Sequence, residues 1–432
     1  MPFLKQRCPF YFFWIFFCVF ILSKNNAAAE TISLPLHAEL ETDVNIQTAT
    51  GNTLLLVFPS EYGPQQADTT LLQVLPQYGI EVWLSNLLET YFLPHSASNL
   101  EKIPAKDIQH LIQAIHKRSK KNIIILTSGR GAIPVLRALA SWPDSDAPPY
   151  LSGLILMHPK LFVKTPEPGL QAELMPSVTK TNQLIYLIQP NLSPFWWNKN
   201  ISLQGLQQSG SDVFVQVLRN IRNRFYFRED ANAIEQQLSK KYPNLIYNAI
   251  DQIIRHPKKQ RTIASGYTAS QLVTSVKKQL TLSAYKGKPV PPPLKLKTLN
   301  GNTYDLNDDK NKVVLVNFWA SWCPPCVHEM PSMQRLENHF NKKPQTKNKF
   351  KILAVNMAED KKTLADFLNT KVSVKFDILL DSDGSALKQW KIFAFPTSFI
   401  IGKQGNIRYA IYGAIDWFDR DIIQKIQQLI DE

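Results

Sequence analysis

The chain has 432 residues, 44% hydrophobic and 19% charged, with 16 Gly, 29 Pro and 4 Cys. This composition excludes a disordered chain, a collagen-like repeat and a disulfide-stapled scaffold, and the length exceeds the roughly 250–300 residues at which one core stops growing. Two domains are expected. A formal charge of +14 would suggest nucleic-acid binding in a cytosolic protein, but the N-terminus points elsewhere.

Lys5 and Arg7 precede an apolar run over 9–22, followed by polar residues 23–26 and Ala27-Ala28-Ala29. A positive start, a greasy stretch and a small-residue site are the parts of a secretory signal, here with cleavage expected after Ala29. The run falls short of the ~20 residues that a membrane span needs. An uncleaved N-terminal anchor is the alternative. Cleavage removes Lys5, Arg7 and Lys24 and no acid, leaving a basic protein expected in the periplasm, where contact with an anionic membrane surface replaces nucleic acid as the expected use of the charge.

Cleavage also removes Cys8 and Cys18. The remaining thiols, Cys323 and Cys326, form a C-x-x-C whose small loop restricts the unfolded chain little, so a structural staple is not expected. A structural zinc site wants four ligands. His328 and His339 lie nearby, but no second C-x-x-C exists, and no metal is expected.

In chain order, apolar runs at 53–58, 80–84, 122–126, 153–157 and 184–188 read as buried parallel strands. Between the second and third, Ile108, Leu111, Ile112 and Ile115 mark one face of a helix. Strand–helix alternation predicts an α/β domain over 30–254. From Arg255 the chain turns basic and polar, with a helical stretch at 271–280 and a stiff proline-rich break at 287–293. Residues 255–287 read as a linker, which favours separately folded units.

After the break, a hairpin turned at Asn300-Gly301 is expected, then a buried strand at 312–319 running into Trp322-Cys323-Pro324-Pro325-Cys326 and a helix. A strand at 350–355, a helix at 361–368, a strand at 375–380 and a short helix through 387–390 follow. A hairpin over 399–412 comes next. The last helix carries Ile422, Ile423, Ile426, Leu429 and Ile430 on one face.

This places Cys323 where a buried strand meets a helix N-terminus, whose unpaired N–H groups and dipole stabilise an anion. Such a site lowers a thiol pKa from about 8.5 towards 7 or below. Cys326, one turn on, can attack the mixed disulfide that Cys323 forms. Pro324 and Pro325 suit a first helical turn, where a missing N–H costs nothing. Trp322 shields the pair or belongs to the core.

The stretches VVLVNFWASWCPPCVHEMPSMQRL, FKILAVNM, FDILLDSDG and FPTSFIIGKQGNI, covering 288–432, resemble the TlpA/ResA-like branch of the thioredoxin superfamily, which includes DsbE-type proteins. The resemblance implies a thioredoxin fold and thiol-disulfide exchange on partner protein disulfides, mostly in the reducing direction. It also implies electrons from a membrane donor protein of DsbD/CcdA type and no cofactor. Pro396 is then the cis-proline facing the disulfide, with a bulky Phe395 before it. Asn317 stands where thioredoxin has a buried Asp, and Glu329 is the nearest substitute carboxylate, with a solvated first-turn Glu as the bland alternative.

Residues 50–190 resemble an α/β-hydrolase core, in which a G-x-S-x-G elbow follows the central strand. Here that segment is Thr127-Ser128-Gly129-Arg130-Gly131, with Gly129 at the nucleophile position and Ser128 one place off. No Asp follows the strand ending at 188, His256 lies in the basic tail, and His158 reads as loop packing. The domain is expected to be non-catalytic. The alternatives are an envelope-binding protein in which the first domain is the main module, and a residual serine hydrolase.

Overall fold

A computed structural model describes residues 30–142, 148–163, 173–193, 195–196, 199–229, 231–256, 282–357 and 359–432. The signal segment, the helix expected at 271–280 and most of the basic stretch lie outside them. The architecture is mixed α/β, with two eight-stranded sheets. Among the described residues no helix is long and apolar enough to cross a membrane.

The first sheet comprises β1 (Glu30–Pro35), β2 (Glu41–Gln47), β3 (Thr53–Phe58), β4 (Ile80–Ser85), β5 (Asn122–Ser128), β6 (Leu151–Met157), β7 (Leu184–Leu192) and β8 (Asp212–Arg222). Its order is β1-β2-β4-β3-β5-β6-β7-β8. β2 runs antiparallel to both its neighbours, and the pairings from β4 to β8 are all parallel. The apolar runs arise because both faces are covered. Leu54, Leu56 and Phe58 enter one core with the helices Ala105–Ser119 and Ala132–Ala140. Leu55 and Val57 enter the other with Gln66–Val74 and Tyr242–Arg255. Each fully buried side chain of this kind contributes about 1.5–3 kcal/mol.

Three strands of the first sheet were not expected from the sequence. β1 and β2 alternate buried and exposed residues, and β8 is half-exposed at the opposite edge. Strands covered on one side only lack the continuous apolar run that betrays a central strand.

The second sheet contains β9 (Ser283–Ala284), β10 (Lys295–Thr298), β11 (Thr303–Asp305), β12 (Val313–Trp319), β13 (Phe350–Met357), β14 (Asp377–Asp381), β15 (Thr397–Ile401) and β16 (Ile407–Tyr412). Its order is β11-β10-β14-β13-β12-β15-β16-β9. β12, β13 and β14 are parallel, and β15 returns antiparallel beside β12. Its core, which includes the helices Pro324–Lys342 and Arg420–Asp431, shares no residue with either core of the first sheet.

The linker expected at 255–287 needs correction at its end. Leu282 is buried in the second core, and β9 pairs with β16 through Ala284–Tyr409 and Ser283–Ala410. A two-residue strand among polar neighbours has no periodicity to read. The sheets meet through a small aromatic contact, in which Phe162 packs edge-on against Phe393 at 6.0 Å with Phe195 and Ile201 alongside.

Candidate active site

Strand β12 is buried throughout, and the chain turns from it into the helix Pro324–Lys342, with Cys323 as the N-cap and Pro324 and Pro325 in the first turn. The Cys326 N–H donates to Cys323 Sγ at 3.4 Å, so the sulfur sits against the unsatisfied donors of the helix end. The two cysteines are joined by a disulfide. They differ in access: Cys323 is 6% exposed and Cys326 is fully buried. Trp322 packs edge-on against Phe395 at 5.9 Å, and the Phe395–Pro396 peptide bond is cis. The residues singled out around the two motifs are thus brought together although about seventy positions separate them in the chain.

Glu329, one turn beyond Cys326 on the same helix face, is 3% exposed. This is a buried carboxyl rather than a solvated one. Its Oε1 accepts from Asn317 Nδ2 at 2.7 Å, and its Oε2 accepts from Trp417 Nε1 at 3.1 Å and from the Ile415 N–H at 3.4 Å. Burial pushes the carboxyl up to about 7 despite these donors. Asn317 Nδ2 also donates to Ser398 Oγ at 2.9 Å, while Asn317 Oδ1 is buried without a partner. Trp417 and Ser398 were not anticipated: each comes from a strand or loop far along the chain, and no local pattern connects them to Glu329. Glu329 also lines an open cleft of about 360 Å³ with His328, Arg335 and Asp416.

In the first sheet, β5 ends at Ser128 and the chain turns sharply through Gly129–Gly131 into the helix Ala132–Ala140. Gly129 has φ 54°, the left-handed region that favours glycine. A Cβ there would lie 2.5 Å from Glu61 Oε2, and one at Gly131 would lie 2.5 Å from the Pro59 carbonyl oxygen. Glu61 therefore occupies the space a side chain at 129 would need. Its Oε2 accepts from the Arg130 N–H at 2.8 Å and its Oε1 from Lys160 Nζ at 2.7 Å. Burial alone would raise this carboxyl, but Lys160 and the Arg130 N–H hold it below the ordinary range.

Ser128 Oγ accepts from the Tyr226 hydroxyl at 3.0 Å and is 9% exposed. His158 is buried and its ring lies 6.1 Å from that of Tyr226. It is 4% exposed, its Nε2 has no partner, and burial pushes it down to about 4. His256 instead lies against Phe214 at 4.3 Å, with Nδ1 on the Gln252 carbonyl.

Residues 286–410 match the AhpC/TSA family. Similar curated proteins include Thioredoxin-like protein YneN of Bacillus subtilis, 33% identical over 33% of this chain and 80% of that protein. Thiol-disulfide oxidoreductase ResA of the same organism is 31% identical over 35% of this chain and 79% of that protein. Among solved structures, StoA from Bacillus subtilis is 26% identical over 33% of this chain and 98% of that chain, with a TM-score of 0.27. With a C-x-x-C disulfide capping the helix that follows β12, and with relatives matched over most of their length, the chain belongs to the thioredoxin-like thiol-disulfide oxidoreductases.

Proposed function

We propose that the chain is an exported, periplasmic reductase of partner-protein disulfides, with Cys323 as the nucleophile and Cys326 as the resolving thiol. The observation that carries this reading is the unequal burial of the pair: Cys323, at the helix N-terminus, keeps 6% of its surface exposed and Cys326 keeps none. In the reduced protein the Cys323 thiolate attacks one sulfur of the partner disulfide, and the other sulfur leaves as a thiolate. Cys326 gives up its proton and attacks Cys323, forming the internal disulfide and releasing the partner with both cysteines reduced. Two electrons from a membrane donor protein of DsbD/CcdA type restore the dithiol.

Glu329 accepts the Cys326 proton in this scheme. A buried carboxyl near 7 is matched to that task at neutral pH. Pro396 docks the partner backbone, and Trp322, Pro324 and Pro325 shape and shield the pair. Trapping with Cys326→Ser tests the scheme, since the mixed disulfide then cannot be resolved internally. Full turnover of a model disulfide by Cys323→Ser would refute it.

The first domain, from residue 30 to about 254, is read as a hydrolase-like fold without hydrolase activity. The turn at Gly129 supports the likeness, and Glu61 against Gly129 and the Arg130 N–H supports the loss of activity. Export rests on the N-terminal signal pattern, with cleavage after Ala29. The basic charge favours contact with an anionic membrane surface.

A further inference from the structure

Between the two sheets lies a cleft of about 180 Å³, lined from the first by Glu61, Gly129, His158, Lys160 and Arg224 and from the second by Trp322. Trp322 immediately precedes Cys323, so the cleft shares a wall residue with the surroundings of the redox pair. Two independent features mark the cleft as built for an anion. The first is charge. Lys160 faces one carboxylate, Glu61, at 2.7 Å, and Arg224, held over the Tyr62 ring at 5.0 Å, adds a second cation. Arg222 also lines the cleft, but its charge is committed to Glu235 through Nε–Oε1 at 2.8 Å and Nη2–Oε2 at 2.5 Å. The second feature is the His158 ring, nine-tenths buried with Nε2 unpartnered. A buried polar atom left without a partner is costly and marks a place for a missing ligand.

We infer that this cleft receives an acidic side chain of the disulfide-bearing partner, so that the first domain selects disulfides flanked by Asp or Glu. The inference rests on the reading of Cys323 as the exchanging thiol for its purpose, but not for the binding itself. The entering carboxylate takes its hydrogen bonds from Arg224 and from His158 in the tautomer that carries its proton on Nε2, while Glu61 keeps Lys160 and the Arg130 N–H. Glu61 is the built-in opponent: its own negative charge weakens the site for a second carboxylate.

The test uses the oxidised mature protein, from residue 30 onward, in which Cys8 and Cys18 are absent and the Cys323–Cys326 disulfide leaves no thiol free to exchange, and two cyclic disulfide peptides differing only by Asp against Asn beside the cystine. Isothermal titration is expected to find the Asp peptide bound about tenfold more tightly, the ratio that one charge-assisted hydrogen bond supplies. Arg224→Gln should erase the preference and Glu61→Gln should enlarge it. Equal binding of the two peptides, or a preference untouched in both variants, would overturn the inference. So would succinate alone competing as strongly as the Asp peptide, which would make the cleft a small-acid site. The reduced protein then reports on the underlying reading. If the Asp preference in binding holds but neither peptide is reduced, the exchange scheme fails and the acidic-residue site stands.

Discussion

Replacing Glu329 by Gln should remove a pH dependence of stability that the native chain carries. A carboxyl moved from 4.5 to about 7 by burial favours protonation in the folded state by roughly 3 kcal/mol, at about 1.4 kcal/mol for each tenfold change in proton affinity. The folded chain holds this proton more tightly than the unfolded chain does. The stabilising contribution is therefore fully present below 4.5 and is lost as the pH rises through about 7. The Gln variant fits the same site: its oxygen accepts from Trp417 and Ile415, and its amide donates to Asn317 Oδ1 once the Asn317 amide turns over. That turn satisfies an oxygen now lacking a partner. Urea unfolding of both proteins at pH 4.5 and pH 8, with the disulfide intact, measures the effect as a difference of differences. Asp68, raised to about 6 by burial, acts with the same sign but is present in both proteins and cancels. The native chain should lose roughly 3 kcal/mol more than the variant between the two pH values. Parallel pH profiles, agreeing within about 1 kcal/mol, would refute the assignment of a buried, proton-retaining Glu329.

Cys326→Ser should accumulate a mixed disulfide through Cys323, which mass spectrometry of the trapped adduct identifies, and recovery of free partner at the native rate would contradict it. Glu329→Gln should slow release of the partner about 100-fold at pH 7 and abolish the inflection near 7 in the rate profile measured by stopped-flow fluorescence. Gly129→Ser should destabilise the first domain by about 1–3 kcal/mol, because φ 54° and the Glu61 carboxylate both oppose a side chain there. It should gain no labelling by a fluorophosphonate probe, and labelling of the native chain that vanished in Ser128→Ala would revive the hydrolase reading.

What the sequence reveals and what it hides divide along physical lines. The central strands of both sheets are legible because burial on two faces demands uninterrupted apolar residues, as in β3 and β12. The C-x-x-C and the late proline are legible because chemistry fixes residue type at fixed spacing. β1, β2 and β8 are not, since a one-sided strand needs only alternation. The surroundings of Glu329 are legible in part: the helix period places the carboxyl behind Cys326, but Trp417 comes from more than eighty residues away. Glu61 is hidden altogether. A lone acidic residue in a loop after β3 reads as solvated surface, and only the fold brings it to the Arg130 N–H.

Glu61 also explains why the turn at Gly129 is not one substitution away from a hydrolase. A serine at 129 would put its Cβ within 2.5 Å of Glu61 Oε2, so the nucleophile needs the carboxylate to leave first. The same carboxylate occupies the N–H that follows the nucleophile position, the donor that would otherwise stabilise an oxyanion. Removing Glu61 frees that N–H but leaves Lys160, whose side chain is only 27% exposed, without its counter-charge. His158 is held neutral by burial, and the acid near it, Glu61, is already engaged by Lys160 and the Arg130 N–H. What the turn supplies is its backbone: a left-handed residue followed by an N–H aimed at the Glu61 carboxylate. That capacity belongs to the strand–turn–helix geometry and not to any nucleophile. The proposed anion site beside Trp322 therefore draws on Arg224 and His158 and needs no nucleophile at 129.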